Sequence, residues 1–173
     1  MKYTRYIQMM VMFVLAVIFL QACSGNEFDA ENPKEYGING VYLGQNVKEA
    51  IEILKPTKAD FMDMVTRQTY TVDQMAAGEG DAVMGMLLID RTQLILKVQK
   101  GKLQSIMLSG VPQEDAQKFK TIRGLAMYDA SEKLTQLYGM GTGEKEVIYQ
   151  GKSYKASFGL ANNQVAWMRF DKL

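Results

Sequence analysis

Residues 40–54 read GVYLGQNVKEAIEIL, and residues 124–138 read GLAMYDASEKLTQLY. Each stretch begins with glycine and a short apolar piece typical of a strand, then passes through a polar cap into a helical pattern. The apolar positions that share one helical face are Ala50, Ile51 and Leu54 in the first stretch and Leu134, Leu137 and Tyr138 in the second. The similarity of the two stretches predicts an internal repeat with one helix in each copy.

Cap and stop residues mark the ends of both helices. Asn46 and Glu49 stand three residues apart, as the partners of a capping box do, and Asp129 and Glu132 have the same spacing. The glycine-rich GMGTG at 139–143 follows the second helix, so we expect a helix C-cap and loop there rather than a phosphate-binding loop.

Two later segments predict a matching pair of β-hairpins. Residues 94–108 have turn residues at Lys100-Gly101, and residues 156–170 have them at Asn162-Asn163. The hairpins align at an offset of 62 residues, whereas the helices align at an offset of 84. The first copy therefore carries extra residues between its helix and its hairpin.

The extra residues lie within an insertion at 57–90, in which residues 69–77 are expected to form a small helix. One further strand precedes each hairpin, at 83–89 in the first copy and at 144–150 in the second. Each copy is then a helix followed by three strands.

The predicted fold class is α+β, with two tandem α-β-β-β repeats at residues 37–110 and 111–173 and antiparallel sheets that carry helices on one face. Successive side chains of a strand point to opposite faces, so one set of hairpin side chains should lie beneath the helices. These are Leu96, Val98, Ile106, Leu108, Phe158, Leu160, Met168 and Phe170.

The opposite face carries the candidate binding residues. Parity places Trp167 and Arg169 there in the second hairpin, and Met107 and Lys97 in the first. Exposed Trp and Arg side chains are enriched at binding hot spots, so this face is a candidate partner site. The alternative is that the other repeat or the insertion covers Trp167.

The N-terminus differs from the rest of the chain. Lys2 and Arg5 precede a charge-free run whose most apolar part, residues 9–20, is shorter than the roughly 20 residues of a transmembrane helix. This pattern predicts a secretory signal peptide at residues 1–22. The acidic stretch that follows, residues 23–36, predicts a flexible tether.

Leu20-Gln21-Ala22-Cys23 stands where the apolar run ends. It resembles the bacterial lipobox, Leu-x-(Ala/Gly)-Cys. The resemblance implies cleavage before Cys23 and attachment of lipid to its sulfur, so that the chain would be held to a membrane through an acylated cysteine.

Composition excludes several classes of function. The chain has no histidine and one cysteine, so it lacks the Ser-His and Cys-His pairs of nucleophilic catalysis and cannot form an internal disulfide. Its 20 basic and 19 acidic side chains nearly balance, which leaves no basic surface for nucleic acid. No phosphate loop, nucleophile elbow or zinc-binding helix motif is present. We therefore expect a protein that is not an enzyme and needs no cofactor.

Two groups of side chains leave alternatives open. DFMDM at 60–64 pairs two carboxylates, which suits a solvated helix or loop face or, alternatively, acid–base work or a cation site. Met62, Met64, Met84 and Met86 are expected to fill a core adaptably, with Cu(I) binding through their thioethers as the alternative.

The repeat resembles a known group of proteins. The positions that carry the resemblance are Gly40, Leu43, Gly44, Ala50, Leu54, Gly124, Met127, Asp129, Leu134, Leu137, Tyr138 and Gly139. The pattern is similar to the small outer-membrane lipoproteins of the SmpA/OmlA type and to the β-lactamase-inhibitor-protein fold of two tandem repeats. These families often have a second glycine after the first strand, where the second copy here has Tyr128.

The resemblance implies an outer-membrane lipoprotein that binds or assembles envelope proteins without catalysis. Ser24, rather than an aspartate, follows the cysteine and favours the outer membrane. The alternative function is an inhibitor or small-ligand-binding lipoprotein that uses the open sheet faces. A shared fold does not by itself decide between these functions.

Overall fold

The structure is a computed structural model, and it describes residues 27–173. The predicted signal peptide, Cys23 and the first residues of the predicted tether lie outside the described residues. The chain has a mixed α/β fold with a large antiparallel sheet and few helices.

The elements follow one another in a simple order along the chain. The helices are α1 (Val47–Leu54), α2 (Val72–Ala76) and α3 (Ser131–Tyr138), with short 3-10 turns at Pro33–Glu35 and Gln113–Lys118. The strands are β1 (Gly37–Ile38), β2 (Val41–Tyr42), β3 (Lys58–Asp63), β4 (Thr69–Tyr70), β5 (Val83–Ile89), β6 (Thr92–Gln99), β7 (Lys102–Ser109), β8 (Glu146–Gln150), β9 (Tyr154–Ala161) and β10 (Gln164–Lys172). The first two strands pair with each other, and the other eight form the large sheet.

The eight-stranded sheet has the order β4-β3-β5-β6-β7-β10-β9-β8. Both predicted hairpins are confirmed, as β6–β7 and β9–β10, and so are the strands that precede them, β5 and β8. The expectation of separate sheets is wrong, because β7 and β10 pair antiparallel and join the two hairpins into one continuous sheet. The insertion extends that sheet by β3 and β4.

The N-cap predicted for α1 forms, whereas the one predicted for α3 does not. The Asn46 side chain caps α1 as predicted, but it accepts a hydrogen bond from the Lys48 N–H and not from the Glu49 N–H that a capping box requires. α3 begins instead at Ala130, which has no side-chain cap, because the Asp129 carboxylate accepts from the Ala126 N–H at 2.7 Å. Gly139 ends α3 with φ of 81°, as expected for a glycine C-cap.

The hydrophobic core lies between the helices and one face of the large sheet. Seven of the eight side chains predicted to lie beneath the helices are buried. Leu160 is partly buried and packs against the core, because a bulge between Val165 and Trp167 shifts the register of β10 beside it. In α3, Leu134 and Tyr138 complete the cluster from the helix side.

The prediction of a flexible tether over residues 23–36 is wrong from Phe28 onward. Tyr36 is fully buried and donates a hydrogen bond to the Ala30 carbonyl at 2.8 Å. Phe28 packs against the rings of Tyr36, Tyr138 and Tyr149 at centroid distances of 5.3–5.8 Å. Residues 28–36 therefore belong to the core, because Phe28 and Tyr36 pack their rings against it. The polar and acidic composition of the stretch as a whole does not indicate this.

One partly buried ion pair holds this segment in place. The Arg123 guanidinium donates to both carboxylate oxygens of Glu35, at 2.7 and 2.6 Å. It also donates to the carbonyl oxygens of Leu137 and Glu27, and it lies 5.6 Å from the centre of the Phe28 ring. Side-chain exposure is 12% for Arg123 and 10% for Glu35, so water screens the pair weakly.

Candidate binding face

The open face is the side of the eight-stranded sheet that points away from the core. None of the helices between residues 27 and 173 covers it, and side-chain burial alternates along β5 and β6, whereas Ser105 of β7 and Ser157 of β9 are buried on this face by their neighbours. In β5, Val83 and Leu87 are buried while Met84 and Met86 are exposed. The open face is therefore a solvated surface built on a rigid sheet.

The four predicted binding residues come together on three neighbouring strands of the open face. Arg169 of β10 lies directly opposite Met107 of β7, and Lys97 of β6 lies opposite Ser105, two residues before Met107. Trp167 lies two residues before Arg169 on β10. The structure thus groups them spatially, whereas their role in binding stays a prediction.

Trp167 is half-buried by its own sheet. It lies directly opposite Gly159, and a β-carbon added at Gly159 would collide with the indole ring. Because glycine has no side chain, it provides a flat seat on which the indole rests. The seat holds the aromatic ring in one place and leaves its outer surface to solvent. A purely structural role, in which Trp167 shields the glycine backbone, is compatible with the same geometry.

Arg169 is held by an ion pair on the same strand. Its Nε donates to Asp171 Oδ1 at 3.0 Å, and the Arg169 side chain is 52% exposed. Because the Arg169 end is open to solvent, a pair of this kind contributes little to stability, about 0–1 kcal/mol, although the Asp171 side chain is only 13% exposed. Its consequence is positional, since it holds the guanidinium toward Asp171, on a residue that lies opposite the buried Ser157.

The methionines predicted to fill the core do not lie there. Met84 is 38% exposed and Met86 is 45% exposed, and both lie on the open face. Met62 lies opposite Met84 across β3 and β5, and Met107 lies two strands farther along. Met64, just beyond the end of β3, is 43% exposed. The core-filling interpretation of Met62, Met64, Met84 and Met86 is therefore wrong, because strand parity turns them outward.

The two carboxylates of DFMDM do not form a site together. Asp60 lies on the open face and pairs with Lys58 at 2.8 Å. Asp63 is buried at the end of β3, where backbone N–H groups of Thr66 and Val65 donate to its side chain. These bonds lower the pKa of Asp63, with the Thr66 N–H the larger cause. The pair therefore belongs to a solvated strand and a turn, and not to an acid–base couple.

The described part of the chain has neither a metal-binding cluster nor a membrane-spanning helix. Between residues 27 and 173, no group of three or more His, Cys, Asp or Glu side chains is placed to hold a metal ion. No helix in the same range is long and apolar enough to cross a membrane. A shallow cavity of about 250 Å³ lies away from the open face, lined by Lys34, Gly37, Gly40, Val41, Tyr42 and Ile122.

Comparisons with known proteins assign no family. No family model matches the chain, and no curated protein is significantly similar to it. An extracellular protein containing an SCP domain from Bacillus anthracis superposes with a TM-score of 0.40 and 8% identity, over 84% of this chain and 47% of that one. A cysteine-rich secretory protein from Staphylococcus aureus gives 0.42 and 14%, over 83% and 50%. The chain spans about half the length of both, and TM-scores this low assign neither a shared fold nor a function.

Sequence reasoning missed the methionine part of the open face, although a signal for it exists. Residues 83–89 read VMGMLLI, an almost continuous apolar run that looks like a strand buried on both sides. The alternation becomes visible only when Met84 and Met86 are assigned to one face of the strand and Val83 and Leu87 to the other. Apolarity alone does not separate them, since methionine and leucine have similar hydropathy.

Proposed function

We propose that this chain is a lipid-anchored, non-enzymatic envelope protein that binds a protein partner through the open face. The observation that carries the proposal is the grouping of Trp167, Arg169, Met107 and Lys97 on one solvated sheet surface. Aromatic, methionine and arginine side chains are the types enriched in the centres of protein interfaces. A flat and rigid sheet presents them to another protein without any loop having to order first.

A small-molecule ligand is the alternative, and the cavity near Ile122 does not favour it. Ligand sites are usually concave pockets of roughly 300–1,000 Å³. The cavity near Ile122 is smaller, at about 250 Å³, and contains none of the predicted binding residues. An inhibitor that covers a secreted enzyme would use the open face as a protein-binding module does, so the identity of the partner decides between these two.

We also infer that the body consists of two tandem α-β-β-β repeats, and its backbone hydrogen bonds support this. The Gly44 N–H donates to Leu103 O and the Tyr128 N–H donates to Val165 O, both at 2.8 Å. These pairs are related by the offsets of 84 and 62 residues. Two further pairs keep both offsets: Leu103 N–H to Gln45 O with Val165 N–H to Asp129 O, and Val47 N–H to Gly101 O with Ser131 N–H to Asn163 O.

Two other features follow the same offsets. The register skips Gln104 in β7 and Ala166 in β10, so each hairpin has a bulge at the corresponding place. Gly44 and Tyr128 both have positive φ, of 83° and 64°. Tyr128 adopts this strained conformation without being glycine, and its hydroxyl donates to Val111 O at 2.6 Å. The second copy thus keeps the backbone shape where the sequence departs from the pattern.

The proposed anchor is lipid on Cys23, which would hold the protein to the outer membrane. Phe28 packs against the core, and only four residues lie between it and Cys23. The five steps from one Cα to the next span at most about 18 Å when fully extended. On this proposal the body stays close to the membrane surface rather than on a long leash.

The partner-binding proposal is tested by crosslinking in living cells of the native host. A photoreactive amino acid replaces Lys97, on the open face, or Glu52, an exposed residue of α1 on the helix side, in the full chain. We expect discrete adducts from position 97 and none of the same mass from position 52. Equal adducts from both positions, or none from position 97, would contradict the proposal. An envelope-assembly protein in the adduct supports the first function, whereas a secreted hydrolase supports the inhibitor.

The anchor is tested separately by mass spectrometry of the N-terminus of the protein from native membranes. We expect a chain that begins at Cys23 and carries acyl groups. An unmodified Cys23 thiol, or an uncleaved N-terminus, would remove the anchor and leave the partner-binding proposal standing.

A further inference from the structure

Three methionines form a triangle on β3 and β5 of the open face. Met62 lies directly opposite Met84, and Met86 is the next residue of β5 on the same face. Opposite residues of an antiparallel pair have β-carbons about 4.5–5.5 Å apart, and diagonal ones about 7–8 Å. Long side chains reach across both distances, so the three sulfur atoms can approach a common point above the sheet.

A fourth thioether flanks the triangle. Met64 lies two residues after Met62, immediately beyond the last residue of β3, and is 43% exposed. It stands beside the turn that the Asp63 carboxylate fixes by accepting from the Val65 and Thr66 N–H groups. The fixed turn keeps Met64 at the edge of the triangle, where it can supply a further ligand.

Thioether sulfur has a specific coordination chemistry. It is a soft, neutral donor, and soft donors of this kind select Cu(I) among the biological first-row metals. Ag(I) is its closest redox-inert counterpart. Carboxylates and imidazoles, which suit harder cations, are not grouped in this way between residues 27 and 173. The chemistry of the triangle therefore points to a soft monovalent cation.

The charged groups around the triangle permit such a cation. Asp60 lies opposite Met86, and its carboxylate pairs with Lys58 at 2.8 Å. Lys97 lies opposite Met84 on the other side, and its long flexible stem lets the ammonium move away from a bound cation. One carboxylate and two ammonium groups thus border the site, while the nearest side chains to the metal are uncharged.

We propose that Met62, Met84 and Met86, with Met64 at their edge, bind Cu(I) or Ag(I) through their thioether sulfurs. The site lies beside the partner site proposed above: it occupies β3 and β5, whereas Trp167, Arg169 and Met107 lie on β7 and β10, and Lys97 of β6 borders both. An apolar docking patch is the competing explanation for the same exposed side chains. Leucine in place of methionine separates the two, since it keeps the apolar surface and removes the sulfur.

The test titrates Cu(I), without oxygen and against a chromophoric Cu(I) chelator, into the full-length chain carrying Cys23→Ser. That substitution removes the one thiol that would compete for the metal. We expect one Cu(I) to bind, and we expect Met62→Leu, Met84→Leu and Met86→Leu together to weaken binding by about tenfold or more. The matched control replaces Met140, which is 89% exposed and lies outside the triangle, with leucine and should bind as the parent does.

Two further measurements test the site even if the triple variant folds poorly. In the parent, Ag(I) should shift the methyl resonances of Met62, Met84 and Met86 and leave those of buried Met75 and Met168 in place. Affinity should be the same at about pH 5 and about pH 8, because thioethers do not titrate as thiol or imidazole ligands do. No binding by the parent, equal binding by the triple variant, loss in the control, or shifts spread over all methionines would each overturn the site. Crosslinking from position 97 that persists in the triple variant would show that the partner site is separate.

Discussion

On each face of the sheet, an aromatic ring packs over a glycine of the neighbouring strand. Each face has one glycine opposite an aromatic residue: Gly85 lies opposite Phe61 on the covered face, and Gly159 lies opposite Trp167 on the open face. In both places an added β-carbon would meet the aromatic ring. Phe61 is nevertheless buried beneath other parts of the chain, whereas Trp167 keeps its outer surface in solvent. The comparison separates an aromatic residue that completes a core from one that is only seated on a sheet.

Strand parity decides burial here more than hydropathy does. Met84, Met86 and Leu87 are neighbours of similar apolarity, yet the two methionines are exposed and Leu87 is fully buried. A residue on the covered face gains the free energy of burial, while its neighbour on the open face remains available to a ligand. The predictions that follow test this division, beginning with the layer that covers the core.

Glu35→Ala should have the largest effect on stability, because it releases the N-terminal segment that packs on the core. In Glu35→Ala the Arg123 guanidinium keeps its charge in a nearly buried place without its carboxylate, which costs about 3–5 kcal/mol of unfolding free energy. Urea unfolding followed by circular dichroism measures this. The matched control is Asp73→Ala, which breaks the exposed Lys48–Asp73 pair and should cost about 1 kcal/mol or less. Equal losses in the two variants would show that the N-terminal segment is not held by the Arg123 ion pair.

Adjacent substitutions in β5 test the division directly. Leu87→Ala removes a fully buried side chain and should lower the unfolding free energy by about 2–5 kcal/mol. Met86→Ala removes an exposed side chain from the next position and should change it by about 0.5 kcal/mol or less. Chemical denaturation of both variants measures the difference. A large loss from Met86→Ala would mean that something covers the open face in solution.

Gly159→Val should have a smaller effect and one confined to the open face. Its side chain would displace the Trp167 indole from its seat, at a cost of about 1–3 kcal/mol. The chain has one tryptophan, so its fluorescence reports the displacement without interference, and we expect emission to shift to longer wavelength. Adding Trp167→Ala should recover most of the lost stability, because the collision disappears. No recovery in the double variant would locate the damage in the strand and not in the seat.

Much of the fold follows from local patterns in the sequence. The turns at 100–101 and 162–163 and the strands that flank them were predictable, because turn residues and period-two alternation are properties of neighbouring positions. α1 and α3 were predictable for the same reason. The role of Asp129 was not predictable, because its carboxylate can accept from backbone N–H groups on either side of it. In the structure it accepts from the Ala126 N–H. The position of the four predicted binding residues on one face followed from parity, once the hairpins were known.

Local sequence patterns establish which side chains of each hairpin share a face, where the helices lie and, through the absence of histidine, which chemistry to exclude. Contacts between distant parts of the chain establish that β7 pairs with β10, that Phe28 docks against Tyr138 and that the methionines of β3 and β5 meet on the open face. The reason is physical: alternation and capping depend on residues a few positions apart. Strand order and docking depend on which surfaces, distant in sequence, bury the most apolar area together.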